Sequence, residues 1–177
     1  VSKWVVFAGS ALALTAADAG RMADAAAASG RLLMEAFMYR HHPSWVAVVE
    51  MVAAGRIGRL QAVDSWFSYF LDDPANIRNV LEYGGGALYD IGCYSVSLSR
   101  LLFGAEPDDV AAAIVRDPVS GVDTLTTGHM TFPGGLASFT CATLVEPDQR
   151  VHVYGTEGRI EIEIPFNIPP DRPTRVF

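Results

Sequence analysis

The chain has 177 residues, half of them hydrophobic, with 13 Lys and Arg against 20 Asp and Glu and a net charge of −7. That is enough apolar material for an ordered core, and an acidic balance without a basic stripe excludes nucleic acid and anionic membrane as partners, leaving a small molecule or another protein. The two cysteines, Cys93 and Cys141, stand far apart without a CxxC pair, which excludes a disulfide framework and a zinc site and suits a reducing cytoplasm.

The N-terminal segment VSKWVVFAGSALALTAADAG admits two readings. Lys3, an apolar run and an Ala-rich end resemble a secretory leader, although the run is too short to span a bilayer. The favoured reading is a strand followed by a helix, because Thr15 is a good N-cap for AADAGRMADAAAASG and Gly30 a good stop. RLLMEAFM, residues 31–38, is short and apolar and predicts a buried strand. Pro43 then opens a helix whose Trp45, Val48, Val49 and Val52 fall on one stripe, ending at Gly55. LQAVDSWFSYFLD, residues 60–72, mixes β-branched and aromatic residues and predicts a long strand, followed by a loop over 73–83.

GGGALYDIGCYSVSLSRLLFG, residues 84–104, predicts a helix over 87–103 preceded by three glycines. Glycine is costly to order, so three in succession imply that something approaches that backbone closely. After the helix, DVAAAIVRD, VDTLTTGHMTF, GLASFTCATLV, QRVHVYG and GRIEIEI read as strands, parted by the turn signals DPVSG, PGG, EPD and GTEG. This pattern predicts an α+β domain in which helices cover one face of a largely antiparallel, open-faced meander. Alternation in TLTTGHMTF and RIEIEI puts polar residues on the open face. Phe139, Leu144, Val151 and Val153 cannot all be expected to turn inward, so that face is expected to form a homodimer interface.

Asp90 and Tyr94 stand one helical turn apart near a helix N-terminus, where developing negative charge is favoured. Tyr94 can donate a proton to a carbonyl oxygen, with Asp90 orienting the substrate or the tyrosine; the plainer alternative is a core tyrosine and an aspartate that caps the helix. In MYRHHP, Arg40 is a better ligand for a phosphate, carboxylate or sugar hydroxyl than His41 or His42, at least one of which reads as a surface residue. Asn76 and Arg78 lie in the loop leading to the glycines, as substrate contacts or as capping and solvated groups.

GRLLMEAFMYRHHP, GRIGRLQAV, NIR, GGGALYDIGCYSVSLSRLLFGAEP and YGTEGRIEI, in that order, resemble the Gfo/Idh/MocA oxidoreductases, in the branch of dimeric dihydrodiol dehydrogenase and glucose–fructose oxidoreductase. The resemblance runs from Leu12 onward. It implies an NAD(P)-dependent oxidoreductase of sugars, polyols or dihydrodiols, with a Rossmann domain followed by a domain of open-faced sheet type. Tyr94 would match the family's proton donor and Asp90 its substrate-orienting carboxylate. Arg40, Asn76 and Arg78 would lie near substrate, Gly84, Gly85 and Gly86 on the nicotinamide side, and the open sheet face at the oligomer interface.

The departures from the family matter as well. No GxGxxG opens the chain and no acidic residue follows at the spacing that holds an adenosine ribose, so NAD or NADP binding by this chain is expected to be weak or absent. The family's Glu-Lys-Pro is expected just before LALT, where Gly9, Ser10 and Ala11 stand, and Lys3 is the chain's one lysine. None is therefore available to lower the pKa of Tyr94 as the family requires. Residues 1–30 are thus expected to be the remnant of a junction to a missing Rossmann domain, and residues 31–177 a C-terminally shortened substrate and oligomerisation domain. Such a chain is expected to be inactive in isolation. The alternative is a catalytically silent binding or oligomerisation module.

Overall fold

In the computed structural model of the chain, residues 5–8 and 11–177 are described; the expectations for Lys3, Gly9 and Ser10 lie outside them. The chain divides into two compact units, residues 1–37 and 38–177.

In the first unit, β1 (Val5–Ala8) and β2 (Leu32–Glu35) pair in parallel, joined by the helix α1 (Ala16–Ala28). Thr15 caps α1 as expected, its hydroxyl oxygen accepting from the Asp18 amide at 3.1 Å, and Gly30 follows the helix at φ 63°. The division falls after β2, not at Gly30, because β2 is hydrogen-bonded to β1. Its residues are exposed or half-buried instead of fully buried.

The second unit opens with the helix α2 (Pro43–Ala53), which Pro43 starts and which buries Trp45 and Val48. Of the two histidines, at least one of which was expected on the surface, His41 is exposed and His42 is half-buried as the N-cap: Nδ1 accepts from the Ser44 amide at 3.2 Å. The strand β3 (Leu60–Phe70) follows, then two 3₁₀ turns (Ile77–Asn79 and Leu81–Tyr83). A wide π-helical turn (Leu88–Gly92) leads directly into the helix α3 (Cys93–Phe103). The remaining strands are β4 (Asp109–Arg116), β5 (Asp123–Phe132), β6 (Gly135–Ala142), β7 (Leu144–Gly155) and β8 (Arg159–Ile162).

These strands form a six-stranded sheet in the order β4-β5-β6-β3-β7-β8. The expected antiparallel meander is present but interrupted: β3 sits between β6 and β7, parallel to the first and antiparallel to the second. The hairpin expected at EPD is absent, since Glu146, Pro147 and Asp148 lie inside β7. The register with β3 slips there, between Ser68 opposite Asp148 and Phe70 opposite Leu144. The Ser68 hydroxyl bridges the slip, donating to the Glu146 carbonyl at 2.7 Å and accepting from the Asp148 amide at 3.2 Å. A bulge of this kind lets a proline, which cannot donate to the ladder, persist in a strand.

Period two divides each strand between the faces. On the covered face Val63, Phe67, Phe139, Cys141, Val151, Val153, Ile160 and Ile162 are buried beneath the helices. Of the four apolar residues not all expected to turn inward, Phe139, Val151 and Val153 do so and Leu144 stays exposed. The open face carries Leu136 (56% exposed) and Tyr154 (37%) among polar pairs. These include Ser138 donating to Asp64 at 2.7 Å and the hydroxyls of Thr127 and Thr140 at 3.0 Å.

Beyond β8 the chain returns to the helices. Phe166 is buried, the Trp45 indole donates to the Pro165 carbonyl at 2.6 Å, and Gln149 Oε1 accepts from the amides of Phe166 and Asn167, both at 3.0 Å. Residues 175–177 then run beside β8, with Phe177 and Glu161 exchanging backbone hydrogen bonds at 2.9 and 3.0 Å.

Candidate active site

The three glycines have a local explanation. Gly84 ends the second 3₁₀ turn at φ 73°. A Cβ on Gly85 would lie 2.5 Å from the Arg78 carbonyl oxygen, and one on Gly86, at φ 117°, would lie 2.0 Å from Asp123 Oδ1. The close approach inferred from the sequence is thus made by the chain's own atoms. It serves the helix start: Asp123, buried at the head of β5, accepts from the Leu88 amide at 2.8 Å and from the Thr126 hydroxyl at 2.7 Å through Oδ2. The cap comes from a strand 35 residues downstream, not from Asp90, and no local sequence signal announces it.

So anchored, the π turn and α3 lie along β3 with their polar side chains against its covered face. The Tyr94 ring meets Phe67 edge-on at 5.9 Å and packs against Tyr39 at 5.9 Å and Phe166 at 5.5 Å. Tyr94 is 8% exposed, and its hydroxyl lies 3.6 Å from the Met38 sulfur. Tyr39 donates to Ser97 at 3.0 Å, and burial pushes its phenol up to about 12.

One turn earlier, Asp90 meets Tyr69, two residues beyond Phe67 on the same face of β3. The Tyr69 hydroxyl donates to Asp90 Oδ2 at 2.5 Å, and Arg78 Nε donates to Oδ1 at 3.0 Å. Burial first, and the neighbouring carboxylate second, hold the Tyr69 phenol protonated well above the ordinary tyrosine range. Asn76 caps the turn that carries Arg78, its side-chain oxygen accepting from the Arg78 amide at 3.1 Å. Of the residues expected from the sequence, Asp90, Tyr94, Arg78 and Asn76 are therefore brought to one end of the helix and strand. Arg40 stands exposed on the 3₁₀ turn Met38–His41.

Tyr69 and Met38 escaped the sequence reading. Tyr69 was legible in principle, since the parity that buries Val63 and Phe67 also turns Tyr69 toward the helix. Met38 was not, because its relation to Tyr94 spans 56 residues. A cleft of about 550 Å³ adjoins it, lined mainly by Met38, His41, His42, Phe166, Asn167 and Ile168. Its walls are largely apolar, with a few polar groups of the kind that orient a small ligand. Among the described residues no cluster of His, Cys, Asp and Glu could hold a metal ion, and no helix is long and apolar enough to cross a membrane.

Residues 45–161 match the profile of the GFO/IDH/MocA C-terminal domain. The chain belongs to the Gfo/Idh/MocA family. It is 38% identical to a D-xylose 1-dehydrogenase (NADP(+)) of Haloferax volcanii over 80% of its own length and 44% of that protein's. To the trans-1,2-dihydrobenzene-1,2-diol dehydrogenase of Mus musculus it is 31% identical, over 86% of the chain and 46% of the relative. The crystal structure of a 3-ketoreductase from Actinomadura kijaniata with NADP and TDP-benzene superposes with a TM-score of 0.88 at 27% identity, covering 96% of this chain and 53% of that one. The chain thus spans about half the length of the relatives it matches.

Thr15 satisfies the first turn of α1, which also carries Asp18, paired with Arg21.

Proposed function

We propose that this chain is the substrate-binding half of an NAD(P)-dependent oxidoreductase acting on a sugar, polyol or dihydrodiol, with the dinucleotide held by residues outside it. The observation that carries this reading is the Tyr94 hydroxyl, 3.6 Å from the sulfur of Met38, which lines the 550 Å³ cleft, with Asp90 one helical turn before Tyr94. Tyr94 acts as proton donor to the substrate carbonyl oxygen on reduction and as acceptor from the alcohol in reverse. Its ring is fixed by Tyr39, Phe67 and Phe166, so little rotamer freedom is lost when substrate arrives. Asp90 orients a substrate hydroxyl, and Arg40, Asn76 and Arg78 supply further polar contacts. Met38, long and unbranched, yields its contact with Tyr94 to the substrate oxygen.

The test joins an intact nucleotide-binding half of a relative, Glu-Lys-Pro included, ahead of Leu12, and follows absorbance of reduced nicotinamide with sugars, polyols and dihydrodiols. The fused enzyme should turn over, and Tyr94→Phe should lower its kcat by about 10²- to 10⁴-fold, the range of general acid–base catalysis. The chain alone should show no NAD(P)-linked turnover. A fused enzyme indifferent to Tyr94→Phe would overturn the assignment.

We also infer that the open sheet face joins two copies of the chain, since Leu136, Tyr154 and Trp66 share it with hydrogen-bonded polar pairs, the mixture typical of protein interfaces.

A further inference from the structure

The six-stranded sheet has two edges, and the chain treats them differently. At one end β8 is covered by the chain's own return: Val176 bridges Ile162, and Phe177 and Glu161 exchange backbone hydrogen bonds. At the other end β4 pairs with β5, and among the described residues nothing pairs with its outer edge. Every residue of β4 is exposed. A bare edge presents a row of unpaired amides and carbonyls, and proteins ordinarily blunt it with lysine, proline, a very short strand or an inward-pointing charge. The sequence of β4, DVAAAIVR, has eight residues, no lysine and no proline, and its charges stand only at its ends. Its one register shift against β5 falls at the last step, between Val115 and Arg116.

We propose that the outer edge of β4 docks the β4 of a second copy, antiparallel about a two-fold axis at Ala112, so that the two sheets join into one. An axis perpendicular to the sheet keeps the covered faces of both copies on one side, so only residues of like parity come opposite. With Ala112 on the axis, Ala111 faces Ala113, Val110 faces Ile114 and Asp108 faces Arg116 of the second copy. Val110 and Ile114 lie opposite the buried Met130 and Thr126 in the register with β5, so they share the covered side, yet they remain 63% and 45% exposed. Pairing covers both, twice over. Arg116 gives one hydrogen bond from Nη1 to the Gly121 carbonyl at 2.9 Å, which holds it at the strand end and leaves the other donors of its fork for a carboxylate. Moving the axis to Ala111 or Ala113 sets Asp108 against Ile114 or Arg116 against Val110, a charge against an apolar side chain in either case. The complementarity of charge and shape thus favours one register and one occupant. A strand pair of this length buries less than the roughly 1,200–2,000 Å² of a stable interface, so it forms at hundreds of micromolar and not at a few.

The test uses the Leu136→Asp chain, which removes the contact proposed for the open face and leaves this one to be read alone. At about 20 µM it should sediment as a monomer, and at about 500 µM largely as a dimer. Amide hydrogen exchange over the same range locates the contact. Alternate residues of β4, those whose amides point away from β5, should gain protection as the concentration rises, while the rest of the sheet is unchanged. Val110→Lys, at an exposed position where the fold should persist by circular dichroism, should abolish both responses. Asp108→Arg should weaken the dimer by about five- to tenfold, and adding Arg116→Asp should restore it. A monomer at every concentration overturns the proposal. So does association that leaves β4 exchange unchanged, because the contact then lies elsewhere, and so do β4 amides protected at all concentrations, because the edge is then covered within the chain. A double variant as weak as Asp108→Arg alone overturns the register about Ala112.

Discussion

Replacing Asp123 with alanine strips the helical segment that carries Asp90 and Tyr94 of its start. The lost carboxylate oxygen accepts from the Leu88 amide at 2.8 Å and the Thr126 hydroxyl at 2.7 Å, and both lie in the buried seam between β5 and the π turn. Loss of a side-chain cap costs about 0.5–2 kcal/mol, and a buried donor left without an acceptor about 1–3 kcal/mol. Because the two effects overlap at Leu88, roughly 2–4 kcal/mol is expected in total. At about 2–4 °C per kcal/mol for a protein of this size, the melting temperature should fall by about 4–16 °C. Gly86→Ala gives the complementary perturbation. Its Cβ would stand 2.0 Å from Asp123 Oδ1 and its φ of 117° is unfavourable for alanine. It should therefore cost at least as much in the wild-type chain, but only the backbone strain of about 1–3 kcal/mol once Asp123 is already alanine. Urea denaturation of the two single variants and the double variant closes the cycle. Strict additivity, or an Asp123→Ala cost below about 0.5 kcal/mol, would refute the view that Gly86 exists to admit this carboxylate.

Three further outcomes are expected. Sedimentation at micromolar concentration should show a dimer, and Leu136→Asp on the open face should return it to monomer; a wild-type monomer would refute the interface. Tyr39, whose phenol is pushed up to about 12 by burial, binds its proton more tightly folded than unfolded. Its contribution to stability is thus fully present below about pH 10 and is lost as pH rises toward 12, so Tyr39→Phe should flatten the alkaline limb of a stability–pH curve. Cys141, buried and likewise raised to about 12, should resist iodoacetamide until the chain unfolds.

The legible parts of the fold are those governed by local rules. Thr15, Gly30, Pro43 and the stripe through Trp45 and Val48 set their elements by themselves, as do the turns at 117–121 and 133–134. Asp90 and Tyr94 were legible as a pair one helical turn apart, and the family resemblance adds the roles proposed for them. What escaped depends on distant partners: Asp123 as cap, Pro147 absorbed into a bulge, β3 inserted between β6 and β7, and Met38 against Tyr94. His42 shows the limit from the other side, since a histidine beside a proline gives no hint that its ring nitrogen caps the next helix.

The central position of β3 has a consequence for how the chain is made. Asp64 meets Ser138 at a sequence separation of 74, and on its other side β3 waits for a strand synthesised later still. During translation Val63, Phe67 and Tyr69 emerge long before either flank exists, so the central strand must remain unpaired while the helix and two further strands leave the ribosome. At roughly 5–20 residues per second that interval lasts several seconds. Contacts of such sequence separation also slow folding through the entropy of loop closure. Any premature stop between β3 and β7 would release a hydrophobic strand with open edges, an aggregation hazard. The second unit should therefore fold late and as a whole, with the Tyr69–Asp90 contact forming only when the sheet closes around it.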